Sequence, residues 1–223
     1  MSKARPPDIP PFDQIPLGRF IVLSFLACGA INACVFLSVI PQAPKAFHSI
    51  DFIGVLMTIA LATGTLFLVI PCSIVFLLFA KLRALGLRLL LLSVIYLATG
   101  TALRSAANTI RTVSFHSLAE RGMPLVEAAT AFEKAKGHPP KSLEELVPEY
   151  LDSVPSTGLA AYPKYELHMG NESSMWKGNP WVLCVPVGRG LNFDLFLYFP
   201  NQNYPPEESS AFERMGAWAY WHE

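Results

Sequence analysis

The sequence predicts an α+β fold in which three transmembrane helices precede a soluble domain of helices packed on an antiparallel sheet of about four strands. Three long apolar stretches, residues 20–40, 52–80 and 85–103, have no charge in their middle, and each roughly meets the 20 or so apolar residues that a spanning helix needs. Further along, helical spacing gives way to alternation, and helices followed by strands indicate α+β. The chain therefore divides into a tail (1–19), a membrane domain (20–104) and a soluble domain (105–223).

Composition agrees with this division and excludes one class of partner. Apolar residues make up 52% of the chain and their excess precedes residue 104, while the net charge is zero. Without a clustered basic patch, no nucleic-acid partner is expected. Cys184 is the only cysteine of the soluble domain, so that domain has no internal disulfide. We interpret Cys184 as a buried strand residue rather than a nucleophile.

Basic residues orient the membrane domain. Basic residues in short loops mark the cytoplasmic side of a membrane. The loop at 41–51 has one lysine offset by Asp51, whereas the tail and the second loop have three basic residues each: Lys3, Arg5, Arg19, Lys81, Arg83 and Arg88. The proline-rich tail and the second loop are therefore predicted to be cytoplasmic. Three crossings then place the soluble domain outside.

Inside the apolar stretches, few residues are polar. Pro71 is expected to kink the second helix because it removes a backbone donor, and Asn32 is expected to hydrogen-bond a neighbouring helix. Small residues at four-residue spacing, Gly29 with Ala33 for example, predict close helix packing. No charged residue lies at mid-depth, which disfavours transport.

The soluble domain begins with helices. The third apolar helix is expected to continue to about residue 118, and Gly122 with Pro124 is expected to start a new helix that ends at Gly137. Ser142 is expected to cap a short helix, with Glu145 completing a capping box. Four β-rich runs follow at 165–169, 181–187, 193–199 and 218–222.

One segment of this domain resembles a known family. From Gly137 the chain reads G-H-P-P-K-S-L-E-E-L-V-P-E-Y-L, which fits G-x-x-P-x-x-L-x-x-L followed by a short helix ending at Tyr150-Leu151. Together with the preceding helix from Leu125, this resembles the soluble part of type II secretion pseudopilins over about 30 residues, and more loosely over about 100. The resemblance implies a helix packed on an antiparallel sheet and a location in a bacterial envelope.

The N-terminus departs from the family's pattern. A prepilin has a cleavage glycine and, five residues beyond it, a glutamate at the start of a single apolar helix. Here Gly18 is followed by Arg19, position 23 is leucine, and two further apolar helices intervene. The chain is therefore expected to be neither processed nor assembled as a pilin.

Candidate site residues fall in loops rather than in a catalytic motif. Trp176, Tyr204, Glu207 and Glu208 lie in loops rich in glycine, proline and asparagine, which are typical of protein-contact surfaces. Alternatively, the rings fold back onto the sheet. No catalytic residue, metal ligand or cofactor is predicted, because the histidines (His116, His138, His168 and His222) are scattered and no H-x-x-x-H or C-x-x-C spacing occurs.

These observations predict a non-enzymatic inner-membrane protein with a pseudopilin-like periplasmic domain that binds another protein. It would act as an accessory subunit of an envelope or secretion assembly. One alternative is an immunity protein against a toxin acting in the periplasm or membrane, and another is a hydrolase with an unrecognised site. The expected partners are an envelope protein or a toxin, together with the lipid bilayer.

Overall fold

The computed structural model describes residues 15–43, 51–170, 172, 174–188, 193–206 and 211–222. These fall into two compact units. The first contains the described residues up to Phe36 and from Ile53 to Ala106. The second contains the described residues of Leu37–Phe52 and those from Ala107 onward.

Apolar helices build the first unit. Helix α1 spans Leu17–Val39, and α2 spans Asp51–Gly64. A π-helical turn, Thr65–Val69, leads into α3 at Ile70–Leu77. With the helix that begins at Arg83, the described chain has three helical segments long and apolar enough to cross a membrane. Outward-facing leucines, isoleucines and phenylalanines cover these helices, as burial in lipid requires.

The sequence predicts a kink at Pro71, and the structure has a π-helical turn, Thr65–Val69, directly before the helix that contains this proline. Pro71 has no N–H and its ring crowds the preceding turn. The turn immediately before it widens, and the Ile70 amide donates to the Thr65 carbonyl five residues earlier. A one-turn π-bulge is a common way to accommodate such a break.

Asn32 hydrogen-bonds between helices, as expected. Its Nδ2 donates to the Cys28 carbonyl of its own helix at 2.8 Å and to Thr99 Oγ1 at 3.3 Å. Gly100 makes room for it, because a Cβ there would be 3.1 Å from Asn32 Oδ1. The small-residue prediction is wrong at Gly29, since a Cβ there would meet nothing within 4 Å.

Helix α4 is unbroken from Arg83 to Lys136, so the predicted restart at Gly122 and Pro124 is wrong. Pro124 has no N–H to donate to the Glu120 carbonyl. Both residues are exposed, so water can satisfy that carbonyl and the helix continues. Gly122 serves packing instead, because a Cβ there would be 2.5 Å from Trp218 Cζ2.

After α4 the predicted short helix is present as one 3₁₀ turn, Leu143–Leu146, without the predicted cap. Ser142 makes no capping hydrogen bond. The carboxylate of Glu145 accepts from the Lys141 amide at 2.9 Å, so one acidic side chain takes over part of the capping. Pro148 follows closely and cannot donate to a continuing helix.

Five strands form an antiparallel sheet, one more than the approximate four predicted. They are β1 (Glu166–Met169), β2 (Trp181–Pro186), β3 (Leu195–Tyr198), β4 (Phe212–Met215) and β5 (Trp218–Trp221), in the order β1-β2-β3-β5-β4. The additional strand is β4, a short edge strand joined to β5 by a tight turn at Gly216, where φ is +67°. Apolar and polar residues do not alternate along β4, because Glu213 and Arg214 are adjacent, so its sequence lacks the pattern of a half-buried strand.

Both faces of the sheet bury apolar side chains. The inner face packs on the second half of α4, with Phe115, Leu118 and Leu125 against Trp181, Phe196 and other sheet residues. The outer face has a second cluster that includes Val182, Cys184, Leu197 and Phe199. Met175 and Trp176, from a short 3₁₀ turn at Ser174–Trp176, and Tyr204, from the loop after β3, pack on that cluster.

The loop after α1 packs into the second unit. Gln42 Nε2 donates to Ser114 Oγ at 2.6 Å, and the Ala161 amide donates to the Pro41 carbonyl at 3.2 Å. Ala43 is buried. The second unit therefore includes this loop as well as the described residues from Ala107 onward.

Candidate functional site

Two loops cover one end of the outer sheet face and are tied to each other. One is residues 174–179, before β2, and the other is residues 199–206, after β3; together we call them the joined-loop surface. The Asn179 side chain connects them, because Nδ2 donates to the Trp176 carbonyl at 2.8 Å and to Asn203 Oδ1 at 2.7 Å. Its Oδ1 accepts from the Asn201 amide at 2.9 Å.

Asn203 completes the connection, since its Nδ2 donates to the Lys177 carbonyl at 2.8 Å. Asn179 is 1% exposed. A buried asparagine with partners for its donor and acceptor atoms is costly to disturb. The two loops therefore hold one fixed shape while the side chains of Lys177, Gln202 and Asn203 remain exposed.

Tyr204 anchors the second loop to the sheet. Its hydroxyl accepts from the Phe199 amide at 2.8 Å and lies 3.0 Å from the Ala217 carbonyl. Its ring stacks on Phe199, with centroids 4.7 Å apart, and the Arg214 guanidinium lies 4.1 Å over it. Burial raises the pKa of the Tyr204 hydroxyl, opposed by the Phe199 amide and the Arg214 charge.

Trp176 is not exposed, so the prediction of an exposed loop aromatic is wrong at this position. Its side chain is 5% exposed and belongs to the outer cluster. The His168 ring packs 5.4 Å from it. The alternative left open by the sequence, in which the rings fold back onto the sheet, describes Trp176 and much of Tyr204. Glu207 and Glu208 lie outside the described residues.

Two residues of the joined-loop surface have strained backbones. Among the described non-glycine residues, only Lys177 and Gln202 have positive φ, at 53° and 52°. The left-handed region costs a residue with a Cβ roughly 1–2 kcal/mol. Each loop thus contains one residue in a conformation that the connecting hydrogen bonds hold in place, and such residues concentrate at functional sites.

The other candidate groups do not converge. Across the described residues, no group of three or more histidines, cysteines and acids could hold a metal ion. His168 lies between Glu166 and Glu172, at 3.4 and 3.3 Å, on an exposed part of the sheet edge. His116 and His138 are exposed and belong to α4 and the loop after it.

Cys184 is a buried strand residue, as predicted. It is 1% exposed in β2, and burial, with a smaller contribution from the charge of Glu166, raises the pKa of its thiol. Because the thiolate is the reactive form, we expect Cys184 in the folded chain to resist a maleimide at pH 8 and to react in denaturant. Peptide mapping by mass spectrometry would measure this. Rapid labelling of Cys184 in the folded protein would instead indicate an accessible, activated thiol.

The sequence pointed to these loops but not to the residues that organise them. Asn179 and Asn203 lie in the segments K-G-N-P and N-Q-N-Y, which are typical of turns. Nothing in one sequence indicates that the two turns bond to each other, because 24 residues separate the two asparagines. No known protein family, curated protein or solved structure matches this chain.

Proposed function

We propose that this chain is a non-enzymatic protein of the bacterial inner membrane whose outer domain binds another protein through the joined-loop surface. The observation that carries this proposal is the coincidence of the two strained residues, Lys177 and Gln202, with the hydrogen-bonded connection between their loops. Ordering a loop before binding lowers the entropic cost of association. A rigid, polar, exposed loop pair is therefore suited to contact a protein.

An accessory role in an envelope or secretion assembly is the first form of the proposal. The order of elements supports it, because a long helix ends at Gly137 and is followed by a short turn at Leu143–Leu146 and an antiparallel sheet. That order is the one implied by the resemblance to pseudopilins. An immunity protein would use the same surface on a toxin, and a hydrolase remains the third candidate.

Site-specific photocrosslinking in cells tests the proposal. A photoreactive amino acid replaces Lys177 or Asn201 in the full chain; both are exposed, and Asn201 joins the connection only through its backbone amide. Matched controls carry it at Lys134 or Glu127 on the exposed face of α4. We expect one and the same protein to crosslink at both loop positions and at neither control. A secretion component would support the accessory role, and a toxin would support immunity. Equal crosslinking at loops and controls would contradict the proposed surface.

The proposed location predicts a defined topology. Three crossings with a cytoplasmic N-terminus place residue 223 in the periplasm, because the basic loop at 81–88 is retained inside. A C-terminal alkaline phosphatase fusion should be active and a C-terminal green fluorescent protein fusion dark. Fusions after Leu82 provide the control and should show the reverse. An inactive phosphatase with a bright fluorescent fusion at the C-terminus would overturn the topology.

A further inference from the structure

Strand β1 is one edge of the sheet. It stands first in the order β1-β2-β3-β5-β4, and its four residues pair with β2 in an unbroken register. Natural proteins commonly protect an edge strand with a lysine, a proline or a β-bulge. The sequence of β1, Glu166-Leu-His-Met169, contains no lysine or proline, and its register has no bulge. None of these devices therefore keeps a further strand from this edge.

The hydrogen bonds to β2 determine which backbone groups face the edge. The Gly170 amide donates to the Pro180 carbonyl at 2.9 Å, so these two residues form a hydrogen-bonded pair. Such pairs alternate with non-hydrogen-bonded pairs along an antiparallel ladder. The N–H and C=O of Leu167 therefore point away from β2, and no residue in the described part of the chain bonds them. The Met169 amide points the same way, and its carbonyl accepts from the Glu172 amide at 3.1 Å.

A second copy of β1 fits this edge with Leu167 opposite itself. Two identical antiparallel strands related by a two-fold axis always place one residue opposite its own copy, because the axis passes through the centre of one residue pair. With Leu167 at that position, its outward N–H and C=O bond those of the second copy. Glu166 then lies opposite His168 of the second copy, in a non-hydrogen-bonded pair whose Cα atoms are about 4.5 Å apart. At that distance the carboxylate can accept from the imidazole N–H, and the axis repeats this contact. On the other face, the half-buried Leu167 packs against its copy.

The other two-fold registers near the middle of β1 are less favourable. Glu166 opposite itself brings two carboxylates together, and like charges directly opposite each other destabilise a sheet. His168 opposite itself is separated from Glu166 of the second copy. Tyr165 opposite itself places Pro163, which has no N–H, opposite Leu167. The side chains and the backbone groups of the edge therefore favour the same register.

We propose that two copies of this chain pair through β1 in the register centred on Leu167, so that their sheets join into one. The edge supplies backbone hydrogen bonds, and the alternation of Glu166, Leu167 and His168 supplies matching side chains on both faces. A foreign strand would use the same backbone groups, but the match of β1 with its own sequence favours a second copy. This inference is independent of the proposed function, because the joined-loop surface contains no residue of β1.

Disulfide trapping of the full chain in cell membranes tests the register. In a variant whose four cysteines are replaced by alanine, a single cysteine replaces Leu167. The Cα atoms of a hydrogen-bonded pair lie about 5.5 Å apart, within the range of about 4.4–6.8 Å that a disulfide spans. The matched control is Glu213→Cys, because Glu213 is exposed on β4 at the opposite edge of the sheet.

We expect oxidation to convert most of the Leu167→Cys chain, and little of the control, into a disulfide-linked dimer. Equal trapping at both positions, or none at Leu167→Cys, would overturn the proposal. A disulfide from Leu167→Cys to a different protein would indicate a foreign strand at this edge, and would also overturn pairing with a second copy.

Light scattering of the detergent-solubilised full chain provides a second measurement. Leu167→Pro removes one outward N–H and leaves the hydrogen bonds between β1 and β2 in place, whereas the control Leu167→Val keeps that N–H. We expect a dimer mass for the unchanged chain and for the valine variant, and a monomer mass for the proline variant. A monomer mass for the unchanged chain, or a dimer mass for the proline variant, would overturn the proposal.

Because proline can also distort β1, an exchange of side chains provides an independent check. Glu166→His alone should raise the dissociation constant of the dimer by about 2- to 30-fold, since it removes two opposed pairs. Adding His168→Glu recreates the pairs with their members exchanged and should restore the original value. An unchanged dissociation constant in the single variant, or no recovery in a double variant that melts like the unchanged chain, would contradict this register.

Discussion

A fragment of residues 107–223 should fold cooperatively, whereas a fragment of residues 122–223 should not. The sequence placed a helix start at Gly122, but the core begins earlier on α4. Phe115 is 1% exposed and Leu118 is fully buried, and Phe115 packs 5.2 Å from Phe196 and 5.3 Å from Tyr220. Removing these two side chains costs about 5–10 kcal/mol by comparison with core truncations, which rivals the 5–15 kcal/mol total of an ordinary domain.

Circular dichroism and urea unfolding of the two fragments would measure the difference. Phe115→Ala in the longer fragment is the intermediate case and should lose about 3–5 kcal/mol. Reducing agent should leave the melting curve of the longer fragment unchanged, because Cys184 is its only cysteine. If the shorter fragment melts within a few degrees of the longer one, the core does not depend on residues 107–121.

Trp176→Ala should destabilise the second unit by about 3–5 kcal/mol, the usual range for removing a buried tryptophan. The Trp176 indole is nine-tenths buried in the outer cluster, so its loss leaves a cavity beside Val182 and Phe199. A loss of partner binding in this variant would therefore follow from unfolding. Thermal unfolding of the full chain in detergent would measure the change, and an unchanged melting temperature would contradict the buried position.

Lys177→Glu is the matched variant for binding. Lys177 is exposed, next to Trp176, and its substitution keeps the hydrogen bond that Asn203 makes to the Lys177 backbone carbonyl. We expect its melting temperature to stay close to that of the unchanged chain, because surface substitutions usually alter stability by less than about 0.5 kcal/mol. Binding of the crosslinked partner should weaken. His116→Ala, also exposed, should alter neither property.

Local patterns predicted the elements whose residues interact over short distances in sequence. The apolar stretches gave the helices of the first unit, and alternation around Leu195 and Leu197 gave β3. Gly122 and Pro124 led to a wrong prediction of a helix start. A glycine also permits the close approach of a ring such as that of Trp218. A proline does not end a helix when water can reach the carbonyl that it leaves without a donor. Residue type alone does not separate these cases.

The contacts of the candidate site could not be predicted from the sequence, because the residues that make them lie far apart along the chain. Asn179, Asn203 and Lys177 are ordinary turn residues until β2 and β3 pair and bring their loops together. Trp176 was assigned to an exposed loop because its neighbours are typical of loops. Its burial depends on the apolar outer face made by Val182, Leu197 and Phe199. Whether a sheet has one buried face or two is decided by tertiary packing.

The docking of the 41–43 loop also bears on how the chain is made. Ser114 and Ala161, the residues that bond Gln42 and Pro41, lie 72 and 120 positions further along. At translation rates of about 5–20 residues per second, the loop waits on the order of ten seconds for its final partner. The loop can therefore bond to its partners only after the two apolar stretches that follow it, residues 52–80 and 85–103, have been synthesised. A transplant of residues 107–223 onto a single-helix anchor would leave this loop behind and remove its hydrogen bonds to Ser114 and Ala161.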